Sequence, residues 1–342
     1  MSLHASAKAF REEVLSFIWR QWGQMGLSAP FAHEDVWCQD PEALLVFSLE
    51  AARRDPRMFD EILDWLTANG RSLLRQRVEN LLARDPDAPR PVIEAALART
   101  LPAISRRSRE TQSTLDSTGP TPLFEGELTE AAAFGESEPI FLRFGLVRPP
   151  FRRSRKSREL DLLAPFNMPF RLRAIFGPGS RSEAIRYLLL RGDQGGTTVE
   201  IAEAIALSRP NVQQALEGLS AAGICIKHPR NKKELMWRLD VERWQTWLEL
   251  DESRIPRWID WPAAFAGLAT IWRWIHAPQR ESESPYIRSS RARQLMEQAA
   301  PLIANAGIKW HPADPQRYPG EGYLPAFEHD LATLGTALNP RT

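Results

Sequence analysis

The stretch from Ser180 to Asp240 constrains this chain most, because short elements with their own start and stop signals follow one another there without a gap. Ser180-Arg-Ser-Glu183 has the pattern of a capping box, with a serine oxygen for an orphan amide and a glutamate reaching back. Ala184, Ile185, Leu188 and Leu189 then give a short helix one apolar face. Gly192-Asp-Gln-Gly-Gly196 breaks the chain, and Thr197-x-x-Glu200 opens a second helix with Ile201, Ala202 and Ile205 inward. After the tight turn Ala206-Leu207-Ser208, Ser208 is placed to cap a third helix. Pro210 is tolerated in its first turn, where amides lack partners anyway.

Val212, Ala215, Leu216 and Leu219 recur at helical spacing and predict the buried side of that third helix. Asn211, Gln213, Gln214 and Glu217 fall outside, with Arg209 at the flank, and Ala221-Ala-Gly223 ends the helix on a residue suited to the left-handed cap. Two alternating runs follow, Ile224–Lys227 and Glu234–Leu239, joined by the basic tip His228-Pro-Arg-Asn-Lys-Lys233. Helix, helix, turn, helix and a hairpin with a charged tip resembles the winged helix-turn-helix of MarR- and ArsR-type regulators. The resemblance covers about 60 of the 342 residues and does not extend to the rest of the chain.

The resemblance implies double-stranded DNA as partner, with the third helix in the major groove and the hairpin on phosphate or in the minor groove. Carried over residue by residue, Ser208, Arg209, Asn211, Gln213 and Gln214 would face base edges or adjacent phosphates, and Arg230, Lys232 and Lys233 would sit on the backbone. Asparagine and glutamine suit two-point contacts to adenine, arginine to guanine. The competing reading is a solvated helix face on a module that binds another protein, and Glu217 on the outer side favours it.

Charge distribution bears on the choice. The whole chain carries +1, yet residues 143–240 hold 18 Lys/Arg against 9 Asp/Glu, a basic middle between acidic flanks. Such a block is what one phosphate-touching domain among others would show. Its densest part is Arg152-Arg153-Ser-Arg155-Lys156-Ser-Arg158, expected to act as a disordered phosphate-binding arm ahead of the module or, equally, as a solvated linker.

Around this centre the expectation is mainly α, a multi-domain helical protein with a small β-wing. Phe10, Val14, Phe17, Ile18, Trp22 and Met25 predict one amphipathic helix over 5–25. Asp40-Pro, Asp55-Pro, Ser72 and Pro91 start four more, so 1–102 reads as an all-α N-terminal domain. Residues 103–160 read as a linker and basic arm, flexible over 103–125, with one strand across Ile140–Val147. The winged domain takes 161–250, including a helix from Val241 that packs Trp244, Trp247 and Leu248 back on the module. Residues 251–342 form a helical end. There Phe265, Leu268, Trp272 and Ile275 make a short seam that suits either a core or a homodimer interface, in a region (237–310) holding eight of the twelve tryptophans.

Other chemistry is not written in the chain. Two cysteines cannot build a disulfide framework and suit a reducing cytoplasm, and neither a signal peptide nor a membrane-length apolar run is present. Phe176-Gly-Pro-Gly-Ser-Arg181 resembles the Gly-Ser loop of polymerase-beta-like nucleotidyltransferases, but the paired aspartates such enzymes need are missing after it. His33 and Cys38 lack the further ligands of a zinc site, so Cys38 reads as a core residue. The expectation is therefore a cytoplasmic DNA-binding regulator without catalytic residues, metal or cofactor. The alternative is an adaptor or antitoxin-like protein that clasps a partner.

Overall fold

The computed structural model describes residues 3–27, 38, 40–101, 119–125, 136–231, 234–249, 257–278 and 283–338. Helices dominate: α1 (Leu3–Gln24), α2 (Pro41–Ala51), α3 (Pro56–Asn69), α4 (Arg75–Arg84) and α5 (Arg90–Thr100) come first. A parallel pair of two-residue strands, β1 (Thr121–Pro122) and β2 (Leu146–Val147), brackets α6 (Pro139–Leu142). There follow α7 (Met168–Phe176), α8 (Ser180–Arg191), β3 (Gly196–Thr197), α9 (Thr198–Ala204), α10 (Arg209–Ala221), β4 (Ile226–Pro229), β5 (Leu235–Arg238) and α11 (Val241–Leu248). The chain ends in α12 (Trp261–Ile275), α13 (Pro285–Asn305) and α14 (Tyr323–Leu338). Among the described residues no helix is long and apolar enough to cross a membrane.

Aspartates one or two residues ahead of a proline act as start signals. Asp40, Asp55 and Asp260 accept the amides of Ala43, Met58 and Ala263 at 2.9, 3.0 and 3.2 Å, satisfying donors that have no partner inside the helix. Two local expectations fail. Ile140–Val147 is a short helix and a strand, because Pro139 sits in a helical first turn and Gly145 (φ 73°) reverses the chain before β2. The end of the expected linker is fixed rather than loose: Leu123 and Phe124 are buried and Phe59 meets Phe124 edge-on at 5.7 Å.

Packing groups the chain into two compact units, residues 22–258 and residues 1–21 with 259–342. That grouping differs from the four segments 1–102, 103–160, 161–250 and 251–342 suggested by composition. In the smaller unit α12 runs so close to α13 that a Cβ on Gly267 would lie 2.7 Å from Ile303 Cγ1. Phe265, Leu268, Trp272 and Ile275 are all buried inside this unit, and Trp261 stacks on Phe17 at 5.8 Å.

In the larger unit a cluster of buried charges ties α2 and α4 to α7 and α8. Asp40, Glu42, Arg77, Arg173, Glu183 and Arg186 are at most 4% exposed, three carboxylates against three guanidiniums. Glu42 accepts from Arg77 at 3.0 Å, from Arg173 at 2.7 and 2.9 Å, and from the Leu74 amide at 2.7 Å. Arg77 also donates twice to Asp40, and Glu183 accepts from Arg173 at 2.8 Å and Arg186 at 3.0 Å. Burial works to protonate the acids, but Arg77 and Arg186 hold Asp40 down at about 2, and Arg173 and Arg186 hold Glu183 below its ordinary value. Glu183 is therefore not a capping residue. Gly179 occupies the N-cap of α8, where Ser182 Oγ meets its backbone, and the expected Ser180–Glu183 box is absent.

Candidate nucleic-acid interface

Helices α8, α9 and α10 share one apolar core with the sheet and α11, built from Ile185, Leu188, Ile201, Ile205, Val212, Leu216, Leu219, Trp237, Trp244 and Leu248. The strands form an antiparallel sheet in the order β3-β5-β4, so the expected two-stranded hairpin gains a short third strand. Gly195 (φ 56°) makes this possible, because a Cβ there would lie 2.3 Å from the Trp237 carbonyl oxygen. The second capping box forms as expected: Glu200 N donates to Thr197 Oγ1 at 3.2 Å and Thr197 N to Glu200 Oε2 at 2.8 Å.

Between α9 and α10 the chain turns through Ala206 in the left-handed region (φ 52°), an unfavourable place for a residue with a Cβ. Donors from α4 fix this corner. Arg77 Nε donates to the Ile205 carbonyl at 2.6 Å, Asn80 Nδ2 to that of Ala206 at 2.8 Å, and Arg84 Nη1 to that of Glu203 at 2.9 Å. Three side chains on one face of α4 thus donate to carbonyls at the negative end of α9 and in the turn beyond it. Sequence reasoning missed these residues; their 77/80/84 spacing reveals a shared face but not the acceptors.

The third-helix residues fall into two groups. Ser208, Arg209, Asn211 and Gln214 are exposed, Ser208 at the N-cap position without a side-chain cap bond. Gln213 is half-buried, and both ends of its amide are hydrogen-bonded to side chains of the protein. Trp237 Nε1 donates to Thr198 Oγ1 (3.0 Å), Thr198 Oγ1 to Gln213 Oε1 (2.7 Å), and Gln213 Nε2 to Glu217 Oε1 (2.8 Å). Lys227 completes the relay through an ion pair with Glu217 and lies 5.1 Å above the Trp237 ring. The negative charge of Glu217, which argued against a polyanion, is thereby countered.

The ribbon projects with every residue of β4 exposed. Arg230 at its tip pairs with Glu200 at 2.8 Å, both side chains nearly half exposed, while Lys232 and Lys233 lie outside the described residues. Beyond the exit of α10 an open cavity of about 360 Å³ is lined by Phe176, Gly223, Ile226, Trp244 and Trp247 among others. Its rim carries exposed apolar side chains, Ile226 at 62% and Trp247 at 53%.

The five basic residues of the arm are likewise exposed, but the arm is not a loose strand. Its backbone is bonded to Asp64, Asn69 and Gly26. His33 lies outside the described residues, and Cys38 is buried, its thiol pushed well up by burial and by Asp40, as suits a core residue. No family model, curated protein or solved structure matches this chain.

Proposed function

We propose that residues 180–240 are a winged helix that binds double-stranded DNA, and that the protein regulates transcription through it. α10 enters the major groove with Arg209, Asn211 and Gln214 toward base edges, and the β4–β5 ribbon lies along the backbone. The observation carrying this reading is the division of labour on α10. Its apolar side is in the core, Gln213 braces it from within, and Arg209, Asn211 and Gln214 are left exposed beside an exposed ribbon.

Selection from a pool of random duplexes at low salt, followed by gel shift on the enriched sequence, tests it. Changing Arg209, Asn211 and Gln214 together to Ala is expected to erase preference for the selected over a scrambled duplex, about 10-fold or more for each two-point base pairing removed. Neutralising Arg230, Lys232 and Lys233 is expected to weaken all duplexes alike. Failure to enrich any duplex overturns the reading.

A second reading has its own support. The rim of Ile226 and Trp247 around the aromatic-lined cavity presents apolar surface of the sort that protein partners cover. Co-purification of a stoichiometric protein, abolished by Trp247→Ala while duplex binding is absent, selects an adaptor instead.

A further inference from the structure

The basic run 152–158 lies on an irregular segment whose backbone is held while four of its five cations have no carboxylate among the described residues. Asp64, fully buried on α3, accepts the amides of Arg155 and Ser157 at 3.1 Å each and the Arg153 Nε at 3.1 Å. Burial works against its ionisation, and the amides of Ser157 and Arg155 more than offset that, keeping the carboxyl below its ordinary value. Ser154 Oγ donates to Glu61 at 3.2 Å. At the far end Arg158 N donates to the Gly26 carbonyl at 2.9 Å, and its own carbonyl accepts from Asn69 Nδ2 at 2.9 Å.

Of the five cations only Arg153 has a carboxylate among the described residues. Arg152, Arg155, Lys156 and Arg158 are exposed and unpaired there. Elsewhere in this unit the buried arginines 77, 148, 173 and 186 each face an acid. Arg155 also holds the left-handed region (φ 57°), where glycine or asparagine sits with less strain. Strain accepted to keep a charged side chain in place points to use of that charge.

The class of ligand follows from charge. Four exposed cations without a carboxylate partner among the described residues carry more charge than one small anion offsets, and their complement is a run of phosphates. The same compact unit carries the exposed face of α10. We propose that residues 152–158 form a pre-shaped cationic ledge for the sugar–phosphate backbone of DNA, with Asp64 as its positioning residue. The inference rests on the DNA-binding reading above and adds a second binding surface to it.

The test uses the full chain, duplex DNA carrying the selected sequence, and affinity measured across a series of KCl concentrations. The variant Arg152→Gln/Arg155→Gln/Lys156→Gln/Arg158→Gln is expected to flatten the log–log salt slope by up to about 3.6, at roughly 0.9 for each phosphate no longer neutralised. Preference over a scrambled duplex is expected to survive. Asp64→Asn removes a negative charge, so simple electrostatics predicts tighter binding, whereas collapse of the ledge's shape predicts weaker binding.

An unchanged slope and affinity in the fourfold variant overturn the ledge even when the α10 substitutions abolish sequence preference. Absence of all duplex binding by the unaltered protein overturns both proposals. Binding to phosphatidylserine vesicles that the fourfold variant abolishes, without any duplex binding, also overturns the ledge as stated. Should Asp64→Asn fail to fold, the surface variant alone decides.

Discussion

Glu42→Gln is the substitution that most directly tests how the helices around the proposed reader are held. The wild-type carboxylate accepts four hydrogen bonds, three from Arg77 and Arg173 and one from Leu74 N, with no exposure to solvent. The amide keeps one acceptor oxygen but turns a donor toward donors, and it leaves three guanidiniums facing two carboxylates. Removing one member of a buried ion pair costs about 3–5 kcal/mol, a large share of the roughly 5–15 kcal/mol that holds a domain together. With a urea slope on the order of 3 kcal/mol/M, the unfolding midpoint of the larger unit is expected to fall by about 1–2 M. Adding Arg173→Gln restores charge balance, so the double variant is expected to lose less than the sum of the two singles, by at least about 1 kcal/mol. Urea titration followed by amide exchange of α4 and α8 measures both. A drop under about 1 kcal/mol for Glu42→Gln, or strict additivity, refutes a dry, mutually compensated cluster.

Two further outcomes concern the smaller unit. Asp330 is 2% exposed and burial raises its carboxyl to about 6, so it ionises near pH 4 in the unfolded chain and near pH 6 in the folded one. The unfolded state then binds fewer protons between those values, and this group's contribution to stability is full at low pH and lost as pH rises through 6. Asp330→Asn, which can still accept the Ala313 amide (2.9 Å in the wild type), is expected to raise stability at neutral pH and flatten that fall in thermal unfolding from pH 4 to 7. An unchanged difference between pH 4 and pH 7 counts against the assignment. Gly267→Ala places a methyl 2.7 Å from Ile303 Cγ1 and 2.9 Å from the Ala299 carbonyl, and should cost about 1–3 kcal/mol; a neutral result means α12 and α13 part easily.

What was legible in the sequence was local. Asp-Pro starts, the Thr197/Glu200 box, the inward row Val212, Ala215, Leu216, Leu219 and the left-handed Gly223 all depend on residues a few positions apart, and each took its expected form. Ser180 and Glu183 show the limit. Their spacing fits a capping box, but two arginines in a dry interior compete for the glutamate, and burial of an acid is settled by its cation rather than by its neighbour in sequence. Gln213 and Gln214 are adjacent and chemically identical, yet the 100° between them puts one against Thr198 and the other outside.

The same distinction changes the meaning of the basic block. Counting residues 143–240 gives a surplus of nine positive charges, but four of its arginines, 148, 153, 173 and 186, are matched with Asp60, Asp64, Glu42 and Asp40 from far upstream. In two of the four pairs, Arg173 with Glu42 and Arg186 with Asp40, the cation and the acid are both buried, so neither guanidinium is presented at the surface. Because Glu183 of the same block and the upstream Arg77 belong to that buried cluster, about a third of the surplus is structural, and sequence arithmetic overstates the electrostatic case for a polyanion. The remaining charges are better placed than a diffuse surplus would be. Arg209 sits at the exposed start of α10, and Arg152, Arg155, Lys156 and Arg158 are fixed along a held backbone. Fixed cations give up less freedom on meeting phosphates than a disordered arm does. A chain near neutrality overall can therefore bind a polyanion if some of its acids are committed to interior arginines and a run of exposed cations is left without acids beside it.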